Sequence, residues 1–183
     1  MNIESIDLSK IYNSGYTLEG PYAIDQAQNI VLFVTSGKRV EGSRKLIKIT
    51  EKGEIIWELA LSGNLNHASS IAEVGANGEI IIGGLKQFGK TNGKIGWVIS
   101  SISQNGVHKW TKEINGDGDD YVRNTLISKN EIYVILESES SILKESINYN
   151  TNAVMSDPSS YDDDDIVVYK LNQDGDILNI FRI

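Results

Sequence analysis

Three segments of the chain repeat one strand–turn–strand pattern, and this repetition constrains the fold more than any other feature. The copies span residues 47–63, 100–116 and 168–183. In each copy a strand of alternating apolar residues runs into a polar turn, and a second alternating strand follows. The turns end at Gly53, Gly106 and Gly175. Self-similarity at this spacing is typical of β-propellers and related arrays, so the repeat predicts an architecture and leaves the activity open.

A further pair of β-rich runs precedes each copy, which gives units of four strands. These pairs are "YAID" with "NIVLFVTSG", "SSIAEV" with "EIIIGG", and "NTLIS" with "EIYVILES". Period-2 alternation dominates the chain, and helical periodicity is nearly absent outside a short helix allowed within 140–155. We therefore predict an all-β fold, a β-propeller-like array of three four-stranded blades in one domain, 1–183. The predicted blades cover about 17–63, 64–116 and 117–183, with an insertion at 139–165.

The N-terminal segment resembles the last strand of a blade. "ESIDLSKIYNSG" resembles "WELALSG" and "WTKEING", which end blades one and two, so we predict an extra N-terminal strand at 3–13. Three blades span only part of a circle, whereas closed propellers use about four to eight. A head-to-tail homodimer would close a six-bladed ring, with the extra strand lying against the partner's last blade. The alternative is an opened propeller that a different protein completes.

The third copy carries a resemblance to a known family. Its sequence "DIVVYKLNQDGDILN" (165–179) resembles the pattern D-(I/V)-x-V-x-K-L-x-x-D-G-x-I-x-W of bacterial propeller repeats, grouped as quinoprotein-like and beta-propeller-repeat families. The resemblance covers nearly the whole chain and implies the propeller fold. Such repeats host enzymes, lectins, scaffolds and assembly factors, so it implies no single function. Quinoprotein dehydrogenase activity is not implied, because the chain has three blades and no cysteine for a vicinal disulfide.

Composition narrows the classes of partner. The formal net charge of −8 disfavours nucleic acid and anionic membranes on electrostatic grounds. The lack of cysteine excludes disulfides, thiolate metal sites and a cysteine nucleophile, but it leaves the compartment open. No apolar run reaches the ~18–20 residues of a membrane span, and the N-terminus has no signal-like run. We expect a soluble chain, cytoplasmic or exported with its signal removed.

One segment matches a nucleotide-binding motif by sequence alone. Residues 84–91, "GLKQFGKT", match the phosphate-loop pattern, in which Lys90 would contact phosphates and Thr91 would bind magnesium. The motif requires a helix directly after it, because the helix N-terminus helps to bind the phosphates. "NGKIGWVISS" follows instead and predicts a strand. We therefore expect no nucleotide binding here.

The tryptophans of the repeat predict contacts between blades. Trp57 and Trp110 each lie four residues after a turn glycine, and the third copy has Asn179 at that position. Aromatic side chains bury a large area, and repeat proteins reuse packing positions, so we predict that both pack between neighbouring blades. Stacking on a sugar is the alternative. Trp97 is predicted to pack in the core or between blades.

Two acidic runs provide the candidate binding residues. "NGDGDD" (115–120) lacks the glycine and glutamate that an EF-type loop needs at its sixth and twelfth positions. "YDDDD" (161–165) closes the insertion, and its carboxylates are either solvated or bind a cation or a basic partner. Solvated turns are the alternative for both runs. No metal ligand set and no cofactor are predicted, and calcium is the cation to test. The candidate ligand- or partner-binding residues are Asp117, Asp119, Asp120, Asp162, Asp163, Asp164 and Asp165.

The propeller arrangement would bring the charged loops together. Loops after the second and fourth strands of a blade emerge on one face, which would be acidic over blade three and basic at 37–45 and 86–94. Such a face suits a protein partner or self-association. His67 and His108, the only histidines, show no triad spacing. The sequence therefore favours a non-enzymatic interaction or scaffold module, and the alternatives are a glycan-binding propeller and a hydrolase- or lyase-type propeller enzyme.

Overall fold

The computed structural model is all-β apart from one short helix. It describes residues 8–13, 15–36, 44–63, 65, 71–88, 94–114, 119–138 and 165–182. The strands in these residues form three separate four-stranded antiparallel sheets, and within each sheet they pair in chain order. The first and fourth strands are therefore the two edges of every sheet. The all-β prediction and the four-strand units are confirmed.

The strand bounds follow the repeat closely. Sheet 1 consists of β1 (Tyr16–Ile24), β2 (Ile30–Ser36), β3 (Arg44–Ile49) and β4 (Ile55–Ala60). Sheet 2 consists of β5 (Ile71–Val74), β6 (Ile80–Phe88), β7 (Lys94–Ile102) and β8 (His108–Ile114). Sheet 3 consists of β9 (Asp120–Ser128), β10 (Glu131–Ser138), β11 (Asp165–Leu171) and β12 (Ile177–Arg182).

The turns between the third and fourth strands are built alike in all three sheets. They are Thr50–Glu54, Ser103–Val107 and Asn172–Asp176. In each turn the carbonyl oxygen of the first residue accepts a hydrogen bond from the glycine N–H. The side-chain oxygen of the first residue also accepts one from the fifth backbone N–H, at 2.8–3.1 Å. The three glycines have φ of +74°, +79° and +79°, a region open mainly to glycine. The repeated spacing of a small polar residue and a glycine is thereby explained.

The three sheets stack through equivalent faces. The face carrying Ile30, Leu32 and Val34 in sheet 1, and its equivalents in the other sheets, is called the front face; the opposite face is the back face. The back face of sheet 1 packs on the front face of sheet 2, around Phe33, Leu46 and Ile82. The back face of sheet 2 packs on the front face of sheet 3, around Trp97, Ile99 and Val134. The core therefore lies between sheets.

The predicted extra N-terminal strand is wrong for the residues that the structure describes. Ser9–Asn13 form the helix α1, which covers the front face of sheet 1. Ile11 is fully buried there, and Leu8 packs against the same cluster. Residues three apart share one side of a helix but fall on opposite sides of a strand, so the helical turn lets both side chains contact this face. Residues 3–7, and the helix allowed within 140–155, lie outside the described residues.

Candidate interaction surface

Trp57 joins sheet 1 to the turn of sheet 2. It lies on β4, where its indole Nε1 donates a hydrogen bond to the carbonyl oxygen of Gln104 at 2.9 Å. Its ring lies over Gly106, at which an added Cβ would be 2.7 Å from Cδ2 of the indole. Only glycine leaves room for this contact, because real Cβ atoms do not approach a neighbour below about 3.0 Å. The prediction that Trp57 packs between neighbouring units is confirmed.

Trp110 repeats the same contact one sheet later. Its Nε1 donates to the carbonyl oxygen of Gln173 at 2.7 Å, and its ring lies over Gly175. Sheet 3 has Asn179 at the equivalent position, and the Asn179 amide oxygen accepts a hydrogen bond from the next backbone N–H. The contact of a tryptophan with the following turn, which joins sheet 1 to sheet 2 and sheet 2 to sheet 3, is therefore absent from the described part of sheet 3.

The back face of sheet 3 is exposed where the equivalent faces are buried. Val31 and Leu46 of sheet 1 have no exposed surface, and neither do Ile81 and Ile99 of sheet 2. Their equivalents in sheet 3, Tyr133 and Val168, are only partly buried. Around them Leu126 is 48% exposed, Ile166 45% and Phe181 41%. The strand register places these side chains on one face, called the open face: Leu126, Tyr133, Ile135, Ile166, Val168 and Phe181.

Ion pairs lie at both ends of the open face. At one end Lys170 Nζ is 2.8 Å from Glu131 Oε1, and the hydroxyl of Tyr133 donates to Glu131 Oε2 at 2.7 Å. The hydrogen bond from Lys170 lowers the pKa of the Glu131 carboxyl. At the other end Arg123 pairs with Glu137. The open face is thus an apolar band with one acidic and one basic group at each end.

The described aspartates of the predicted binding set are partly used within the fold. Asp119 accepts a hydrogen bond from the backbone N–H of Ile95 at 2.8 Å. Asp120 has no exposed surface and accepts a 2.5 Å hydrogen bond from the Ser138 hydroxyl. Burial, together with the Asp120 carboxylate, raises the pKa of Tyr169 well above its ordinary value. Asp120 is therefore not accessible to a partner.

Of the remaining predicted binding residues, the structure describes Asp165. Asp165 is the first residue of β11, where its backbone pairs with Ser138. Asp117 and the three aspartates at 162–164 lie outside the described residues, as do the basic loop residues at 37–43 and 89–93. Their role in partner binding stays a prediction.

The described part of the segment that matches a phosphate loop, residues 84–88, lies in strand β6. β6 extends to Phe88, and Gly84 pairs with Val98 inside the ladder. β7 begins at Lys94, so a strand follows the motif as the sequence predicted. A phosphate loop needs a helix at this point, and the described chain resumes at Lys94 as a strand; residues 89–93 lie outside the described residues.

One hydroxyl–imidazole chain was not evident from the sequence. His108 Nε2 lies 2.9 Å from the Thr111 hydroxyl, which lies 2.8 Å from the Ser100 hydroxyl. Ser100 has no exposed surface, so its hydroxyl cannot reach a substrate. Within the described ranges no three His, Cys, Asp or Glu side chains are grouped to hold a metal ion. His67 lies outside those ranges.

A buried ion pair was also not predicted from the sequence. Lys48 Nζ lies 2.7 Å from Asp25 Oδ2, and both side chains are 7% exposed. Burial alone would raise the pKa of Asp25, but hydrogen bonds from Lys48 and Asn29 outweigh it and lower the pKa below its ordinary value. Asp25 directly follows β1 and Lys48 lies on β3, 23 positions further along the chain, so no local pattern pairs them.

Comparison of the sequence with protein-family models and curated proteins identifies no relative. No protein-family model matches the chain, and no curated protein is significantly similar to it. Over the part of the chain that the structure describes, no helix is long and apolar enough to cross a bilayer. The assignment of function therefore depends on the surfaces described above.

Proposed function

We propose that this chain is a non-enzymatic protein-interaction module, built as a propeller-like arc of three blades. Two features support the arc. Both sheet junctions use the same tryptophan-on-glycine contact, and the first strands lie side by side, β1 against β5 and β5 against β9. Neighbouring first strands are what a propeller has around its axis.

The observation that carries the proposed function is the open face. Contiguous exposed apolar residues flanked by polar groups mark protein-interaction sites in soluble proteins. Leu126, Ile166 and Phe181 are each more than 40% exposed, whereas the equivalent faces of sheets 1 and 2 are covered. A catalytic role would need reactive groups at an accessible position, and the open face offers apolar and ion-paired side chains instead.

The contacts of the tryptophans favour this function over glycan binding. Stacking of a sugar on a repeated aromatic needs an accessible ring face. The indole N–H groups of Trp57 and Trp110 donate hydrogen bonds to backbone carbonyl oxygens of neighbouring turns, and their rings lie over turn glycines. The repeated aromatic is therefore engaged within the chain.

The acidic loops form the second part of the proposal. We propose that the aspartates at 162–165 add a polar recognition surface for a basic protein patch, with calcium as the alternative ligand. Electrostatic contacts of this kind change association rates and weaken as salt is raised.

A capture experiment with two variants tests the proposed function. The full chain is immobilised, and proteins retained from a source extract are compared for wild type, an Asp162–Asp165 to asparagine variant, and Phe181→Lys. We expect a specific protein, this chain or another, to be retained by wild type and reduced by at least one variant. Equal retention by all three, with no change in thermal stability on adding calcium or salt, would contradict the proposal.

A further inference from the structure

We infer that the open face of sheet 3 binds the open face of a second copy of this chain, in a two-fold symmetric dimer. This inference rests on the proposed interaction function and names its partner. It differs from the head-to-tail ring predicted from the sequence, because the same face is used by both copies.

The helix α1 argues against head-to-tail contact. In such a contact the open face would pack on the front face of the partner's sheet 1, as sheets pack within the chain. That front face is already covered by α1, with Ile11 fully buried. Exposing it would first remove the burial of the Ile11 side chain, an unfavourable step that any new contact would have to offset.

The loss of the tryptophan argues against an added blade of the same kind. At both internal junctions an indole donates to a turn carbonyl of the following sheet. Asn179 replaces that indole in sheet 3 and bonds within its own strand. A fourth sheet would therefore lack the contact that accompanies each junction inside the chain.

The charges favour pairing of the face with itself. A two-fold contact requires a self-complementary surface. The apolar band lies between two mixed-charge ends, Glu131 with Lys170 and Glu137 with Arg123. Rotation about a two-fold axis through the band places mixed-charge ends against mixed-charge ends, so each acid can meet a base of the other copy and no end presents a single sign.

The size of the face predicts a weak dimer. β10 and β11 are 8 and 7 residues long. Four such strands, about 4.8 Å apart with a rise of about 3.3 Å per residue, give a footprint of roughly 450 Å² per copy. The total of roughly 900 Å² is below the ~1,600 Å² of a standard interface and falls among transient ones. We therefore expect reversible association that depends on protein concentration.

The test compares substitutions at matched exposure. Phe181 on β12 and Ile55 on β4 are both 41% exposed, and Leu126 and Ile56 are 48% and 47% exposed. Sedimentation velocity is run on the full chain over about 10 to 500 µM, so that dissociation constants from micromolar to submillimolar are covered. We expect wild type to dimerise, Phe181→Lys and Leu126→Lys to weaken dimerisation at least tenfold, and the controls Ile55→Lys and Ile56→Lys to change it less than twofold.

A cross-link then distinguishes the symmetric dimer from the ring. The chain has no cysteine, so Val168→Cys introduces a single thiol near the centre of the open face. Facing sheets lie about 10 Å apart, within reach of a short bis-maleimide. Efficient cross-linking of Val168→Cys to itself, without cross-linking of Ile55→Cys, supports the inference. A monomer at all concentrations overturns it, and so does a dimer that Val168→Cys does not cross-link or that the control lysines weaken equally. If the capture experiment still retains a different protein, the interaction function survives while this inference fails.

Discussion

The contact between Trp57 and Gly106 permits a double-mutant test of how one sheet is joined to the next. In Gly106→Ala two separate effects of the new Cβ lower the unfolding free energy. The residue has φ of +79°, which costs an L-residue about 1–2 kcal/mol. The Cβ would also lie 2.7 Å from the Trp57 ring, and overpacking of this kind costs about 1–3 kcal/mol. The expected loss of unfolding free energy is therefore about 2–5 kcal/mol.

Gly15 supplies the matched control. Its φ is +78°, but an added Cβ would meet nothing within 4 Å. Gly15→Ala should therefore show only the backbone cost, about 1–2 kcal/mol. Trp57→Ala removes the indole. In that background Gly106→Ala should therefore lower the unfolding free energy by the backbone cost alone, the same about 1–2 kcal/mol.

Urea unfolding followed by far-ultraviolet circular dichroism measures all four corners of the cycle and the control. The coupling between positions 57 and 106 should be about 1–3 kcal/mol. If Gly106→Ala costs the same with and without Trp57, the steric part of the reasoning is refuted. If Gly15→Ala costs as much as Gly106→Ala, the loss is a backbone effect alone.

Three further predictions concern the core, the buried ion pair and the loop after β6. Gly83→Ala should destabilise the fold by more than about 3 kcal/mol, because its Cβ would lie 2.3 Å from the buried Trp97 ring; thermal unfolding should show partial recovery when Trp97→Leu is added. Asp25→Asn should cost about 3–5 kcal/mol at pH 7 by leaving Lys48 buried and unpaired. The pKa of Asp25 is lower in the folded protein than in the unfolded chain, so wild type loses unfolding free energy as the pH falls and the carboxylate is protonated. The difference in unfolding free energy between wild type and Asp25→Asn should therefore shrink below about pH 4 in urea titrations. A difference that stays constant with pH would contradict this. Calorimetry with ATP or GTP and magnesium should show no binding, and micromolar affinity lost on Lys90→Ala would overturn that expectation.

The parts of the fold that the sequence predicted are those with a local physical cause. A strand with period-2 alternation and a turn with glycine at a fixed position specify a hairpin without reference to the rest of the chain. Hence the four-strand units, the turn at Asn172–Asp176 and the strand after 84–91 were predicted correctly. The inter-sheet position of Trp57 followed from repetition itself, because equivalent positions in an array meet equivalent neighbours.

The prediction of an extra N-terminal strand failed for the described residues, because sequence similarity to the last strand of a blade does not determine which surface the segment packs against. Residues 8–13 meet an apolar front face that no described sheet covers, and packing of both Leu8 and Ile11 against this face selects a helical turn. The burial of Asp120 and the pairing of Asp25 with Lys48 likewise depend on strands that are distant in sequence.

The sequence by itself determined the strands of the three sheets, the repeat and the glycine turns, because these depend on residues within a few positions of one another. Only the tertiary structure decided which faces are buried, which aspartates are accessible and which face remains open. Alternation indicates that a strand has an apolar side, but Val31 and Tyr133 occupy equivalent positions and differ in exposure. The difference arises because sheet 2 lies against Val31, whereas no described element lies against Tyr133, and such contacts between sheets are not encoded in the local pattern of either strand.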